Sequence, residues 1–144
     1  MVKNRTYTPS FTVLAVGKYN NPQKDLSNID AFIFRDFLLK KNYRPQREIY
    51  DGNVTATNFI QAGAESDILF FTGHGLFTGD LCLFDFDLRK PSNSNTYRVN
   101  WKTIQNTWVK LKYVFLMCCD ALSRKEWGQV LTEGAHHIFG YRQL

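Results

Sequence analysis

Three short, nearly unbroken apolar runs constrain this chain most: Phe11-Thr12-Val13-Leu14-Ala15-Val16-Gly17, Asp67-Ile68-Leu69-Phe70-Phe71 and Tyr113-Val114-Phe115-Leu116-Met117. Each is short for a core helix and lacks the apolar–polar alternation of a strand with one wet face. Runs of this kind fit strands buried on both sides, as in a parallel sheet covered by helices. A parallel sheet needs long crossover connections, and the intervening segments supply them. Residues 26–43 carry Ile29, Phe32, Ile33, Phe37 and Leu38 at helical spacing, with Phe34 and Leu39 besides and Ser27 as the expected N-cap. Helices are also predicted over 55–64, 99–109 and 123–133, the last stopped by Gly134. Residues 47–50 read as a short strand, 81–88 as a strand or hairpin arm, 90–96 as a loop, and 135–141 as a last strand. This alternation predicts an α/β, three-layer sandwich with a mostly parallel sheet over residues 11–144, preceded by an N-terminal extension over 1–10.

Composition narrows the function classes. With 144 residues and 44% hydrophobic content, the chain can bury a core without disulfide staples. No apolar run approaches the ~20 residues of a spanning helix, and residues 1–10 lack the apolar core of a signal peptide, so no membrane role is expected. The 18 Lys and Arg outweigh 13 Asp and Glu, but they are scattered rather than gathered in a stripe, so nucleic acid is not an expected partner. The cysteines, Cys82 and the adjacent Cys118 and Cys119, make a poor disulfide framework and read as free thiols of a cytoplasmic protein. The histidines and cysteines show no zinc spacing, and His136 and His137 face opposite ways in a strand, so no metal site is expected.

In parallel sheets, sites gather beyond the carboxyl ends of the strands. His74 follows the second apolar run and Cys119 follows the third. Taken singly, His74 reads as a turn histidine between two glycines, and Cys119 as a buried structural thiol. Together they form a candidate nucleophile and base, because an imidazole supplies what a thiol needs to react as thiolate. The backbone N–H groups of Gly75 and Cys119 are candidate oxyanion donors. Cys118 is expected to pack in the core, facing away from its neighbour, and Cys82 to be structural. Trp101, Trp108 and Trp127 are expected to pack rather than to stack on bases.

The segment from Asp67 to Gly75, ending Thr72-Gly73-His74-Gly75, resembles the histidine motif of the caspase-like (clan CD) cysteine peptidases: a hydrophobic strand ending in His-Gly. Tyr113-Val114-Phe115-Leu116-Met117-Cys118-Cys119-Asp120 resembles the cysteine motif of the same group. Residues 11–20 resemble its first strand and turn, Asp30-Ala31 to Phe37-Leu38 its Asp-Ala…Phe-Leu helix, and residues 53–60 the opening of its next helix. The likeness covers most of residues 11–142. It implies a caspase–haemoglobinase fold and a peptidase acting on a peptide or protein substrate. Cys119 would be its nucleophile, His74 its general base and acid, and no metal or organic cofactor would be needed. It makes Asp120 a candidate to line a pocket for a basic side chain, as acidic groups near the nucleophile do in metacaspases; the alternative is a plain exposed loop carboxylate. Members of the group usually continue through a further strand and loops, so a partner chain or missing C-terminal segment is expected to complete the pocket. Where the group often has Ser-Gly or Arg-Gly after the cysteine, this chain has Asp120-Ala121-Leu122, and no acidic residue stands out as orienting His74. The alternative expectation is a catalytically inactive caspase-like domain serving as a binding or regulatory module. A flavodoxin-like phosphate-binding module lacks support, because no Gly-x-Gly-x-x-Gly or Walker pattern occurs.

Overall fold

The structure, a computed structural model, describes residues 7–87, 89, 95–104, 107–128 and 137–140. Its elements in chain order are β1 (Ser10–Ala15), α1 (Ile29–Lys40), β2 (Arg44–Tyr50), α2 (Ala56–Glu65), β3 (Ile68–Thr72), β4 (Leu81–Cys82), β5 (Arg98–Val99), α3 (Trp101–Ile104), β6 (Tyr113–Met117) and β7 (His137–Gly140). The long strands form a five-stranded sheet in the order β2-β1-β3-β6-β7, every pairing parallel. The short β4 and β5 pair antiparallel beside it. Alternate residues of the apolar runs go to opposite faces, as strand geometry requires. Phe11, Val13, Ala15, Ile68 and Phe70 pack with Ala31 and Leu38 of α1. Leu14, Leu69, Phe71, Val114 and Leu116 pack on the other face with Phe59 and Ala62 of α2, and with Trp108 and Trp127. The fold is thus α/β, a parallel sheet flanked by helices on both faces and compatible with a three-layer sandwich.

Several boundaries differ from the sequence reading, each for a physical reason. The first helix starts after Asn28, and Ser27 Oγ accepts the Ile29 N–H at 3.2 Å from just outside it. Asn28 makes no side-chain cap: its amide nitrogen donates to Asp51, and its Oδ1 does not reach the helix N–H groups. The core-facing stripe of α1 is Ala31 and Leu38 with half-buried Phe34, whereas Ile29, Ile33 and Phe37 are exposed. The helix is apolar on more than one side, so only the sheet decides which stripe it covers. The second strand extends back to Arg44 and includes Pro45, which an edge strand tolerates. Of the described residues in 81–88, only Leu81–Cys82 form a strand, and the Phe86 N–H turns back onto Leu83 O at 3.0 Å. Of the described residues in 99–109, only Trp101–Ile104 are helical. Thr107 then returns both its N–H and its hydroxyl to the Ile104 carbonyl, and Trp108 turns inward to stack on Phe59. Ala121–Ser123 is a 3-10 turn and residues 126–128 are helical, while 129–136 and 141 lie outside the described residues. Among the described residues, no helix is long and apolar enough to cross a membrane.

The amino ends of the central strands are tied at one carboxylate. Asp67 is buried, and its Oδ2 accepts the Ser10 N–H at 2.9 Å and the Tyr7 phenol at 2.5 Å. Its backbone N–H donates to Ser10 O, and its carbonyl accepts from Lys112 N–H at 2.8 Å. One residue thereby joins the starts of β1, β3 and β6. Burial acts to raise the Asp67 pKa, but the Ser10 N–H, the Tyr7 phenol and the charge of Lys110 outweigh it and hold the carboxyl below its usual 3.8. A lowered folded-state pKa means stabilisation that is complete above the unfolded value and lost as pH falls through the folded one. Asp67→Asn is therefore expected to cost about 2 kcal/mol at neutral pH. In urea melts the gap between variant and wild type should shrink as the pH is taken below 3.8. A gap that stays constant with pH would show that the charge contributes nothing.

Candidate functional site

The sheet register brings the His74 and Cys119 segments to one level. Thr72, the last residue of β3, pairs with Ala15 of β1 on one side and Met117 of β6 on the other. The chain therefore leaves all three strands at the same edge. The connection from β1 runs to β2 on one side and that from β3 runs to β6 on the other, so the chain reverses direction between the neighbouring β1 and β3. Such a switch point opens a crevice at the carboxyl ends of the strands.

His74 is held on three sides. Its N–H donates to the Tyr19 hydroxyl at 2.8 Å, and its carbonyl accepts the Cys82 N–H at 2.9 Å. Its ring Nε2 lies 2.7 Å from the carbonyl oxygen of Lys24. A carbonyl only accepts, so Nε2 carries the hydrogen, and Nδ1 is left as the acceptor of the neutral ring. Burial pushes the Tyr19 phenol up, so it stays protonated at physiological pH. The loop bearing Lys24 is itself tied down. Asn21 caps the 3-10 turn Pro22–Lys24, and Leu26 N–H donates to Gly17 O at 2.7 Å. The Asp51 carboxylate accepts the N–H groups of Gly17 and Lys18.

After His74 the chain makes a tight hairpin. Gly75 sits opposite Leu81, and the flanking ladder bonds run from Cys82 N to His74 O and from Leu76 N to Asp80 O. In that register the Gly75 N–H is not spent on the hairpin. Gly79 closes the loop at φ +85, a left-handed position that suits glycine, with its N–H on Leu76 O. The hairpin packs on the segment that follows β6: a Cβ at Gly75 would collide with the Cys119 carbonyl oxygen. From the same segment, the buried Trp127 indole donates to Gly79 O at 2.6 Å.

The cysteines divide as their strand positions require. Cys118 and Cys82 are buried, and burial pushes the Cys118 thiol up and the Cys82 thiol up to about 12. Cys119 is exposed. His74 and Cys119 wall a common cleft of about 370 Å³, together with Leu26, Ser27, Ile29, Asp30, Met117 and Cys118. Asp120, expected in the pocket, is not part of this wall. It takes a left-handed turn at φ 59 that carries the chain off β6 into Ala121–Ser123. The carboxylate that does line the cleft is Asp30, in the first turn of α1. Sequence reasoning also missed the Lys24 carbonyl and the Tyr19 hydroxyl. The carbonyl leaves no trace in residue type, and Tyr19 is one tyrosine among seven. Among the described residues no group of His, Cys, Asp and Glu is arranged to hold a metal ion.

Gly75→Ala tests the close approach. The added methyl should cost roughly 1–3 kcal/mol in a thermal melt and push the His74 turn away from Cys119; an unchanged melting temperature would show that the contact is loose. Comparison with known protein families and with curated proteins finds no match for this chain.

Proposed function

We propose that this chain is a cysteine peptidase domain of the caspase-like kind, with Cys119 as nucleophile and His74 as general base and acid. The observation that carries the reading is the shared cleft: the exposed thiol and the imidazole wall it together, and Lys24 holds the ring with Nδ1 free. In the first step Nδ1 takes the Cys119 proton, and the thiolate attacks the scissile carbonyl. The oxyanion is met by the N–H groups of Gly75 and Cys119. The C–N bond then breaks, and the imidazolium gives its proton to the leaving amine, leaving a thioester on Cys119. Water, activated by the neutral imidazole, hydrolyses the thioester and restores the thiol. The Lys24 carbonyl does the orienting that an acidic third residue would otherwise do. Asp30 lines the cleft and favours a basic substrate side chain there, the role that the sequence had suggested for Asp120.

The second reading, a catalytically inactive domain that binds partners, draws on the exposed Ile29, Ile33 and Phe37 of α1 and Phe139 of β7. Alkylation separates the two without knowledge of the substrate. At mildly acidic pH, Cys119 is expected to react with iodoacetamide well ahead of Cys82 and Cys118, and His74→Ala should slow it by tenfold or more, about. Cys119→Ala and His74→Ala should each lower peptide cleavage by roughly 10²-fold or more while the melting temperature stays near that of the wild type. A Cys119 rate indifferent to His74 overturns the catalytic reading.

A further inference from the structure

His74 borders two clefts. The second, of about 180 Å³, is lined by Lys24, His74, Gly75, Leu76 and Phe86 and does not reach Cys119. We propose that it receives the substrate side chain immediately after the scissile bond, and that it selects an apolar residue there. The inference rests on the peptidase reading and deepens it. A general acid must touch the nitrogen it protonates, so the residue carrying the leaving amine passes directly against the His74 ring. The first cleft holds the nucleophile and takes the acyl side. The space that shares His74 and Gly75 but not Cys119 is left for the amine side.

The walls define what fits. Leu76 and Phe86 present apolar surface, and the second cleft contains no carboxylate. Lys24 Nζ lies 4.2 Å from the centre of the Phe86 ring and 3.4 Å from the Phe86 carbonyl, so the ammonium is held against Phe86. The volume suits one side chain; pockets for drug-sized ligands and cofactors run to ~300–1,000 Å³. The walls are also set in advance. Leu76 is fixed by the hairpin bonds to Asp80 and Gly79, and Lys24 by its 3-10 turn. Little ordering cost remains on binding, and discrimination rests on burial of the entering side chain.

The test is the cleavage-site profile of the full chain on two proteome-derived peptide libraries, one made with trypsin and one with a glutamate-specific protease, new N-termini being read by mass spectrometry. Leu, Ile, Met or Phe should lead the new N-termini about tenfold over Gly and Asp after correction for library composition. Leu76→Trp, which fills the cleft, should shift the profile to small residues; Leu76→Ala, which widens it, should favour Phe and Trp. Cleavage that needs Cys119 but shows no preference at this position, or a profile unmoved in both folded variants, overturns the subsite and leaves the peptidase reading standing. No cleavage by the wild type, or cleavage that survives Cys119→Ala, overturns the peptidase reading and the subsite together.

Discussion

The parallel pairing of β3 with β6 underlies the site, because it sets Thr72 beside Met117 and so starts two turns at the same level. Buried on both faces, these strands have no freedom to slip by one residue, since a slip would turn Leu69, Phe71, Val114 and Leu116 to the wrong helix layer. The Asp67 cluster fixes the same register from the other end of the sheet, where one carboxylate and its backbone gather the starts of β1, β3 and β6. Without that alignment, residues as distant in sequence as His74 and Cys119 would not wall one cleft.

Above the sheet, the precision of the site comes from the backbone more than from the reactive side chains. His74 is positioned by a hydroxyl, an amide and a carbonyl, from Tyr19, Cys82 and Lys24. Cys119 is positioned by the hairpin resting on its peptide and by the left-handed turn at Asp120 that follows β6. Trp127 then ties the two segments together through Gly79. A carbonyl in place of an acid on Nε2 fixes the ring tautomer but brings no negative charge. The proposed chemistry accordingly leans on the oxyanion donors and on the exposure of one thiol among three.

Much of this was legible from the order of apolar runs. The three buried strands, the helices α1 and α2 and the position of His74 and Cys119 beyond strand ends all follow from periodicity and length. The strand-face rule also separated buried Cys118 from exposed Cys119. What failed was local. The stripe that α1 buries could not be read from spacing, because phenylalanines and isoleucines occupy several of its sides. Helix 99–109 was overextended: Val99 pairs in β5, and Trp108 lies beyond the helix and stacks on Phe59.

The sequence by itself determined the parallel α/β architecture and the candidate nucleophile and base, because strand burial and residue chemistry are properties of short segments. Only the tertiary structure decided what holds His74, which carboxylate faces the cleft and where a second cleft opens beside it. Those depend on the Lys24 carbonyl, on Asp30 and Leu76, and on backbone atoms brought together from distant parts of the chain. A backbone carbonyl is the same in every residue, so its role appears only when the chain has folded around it.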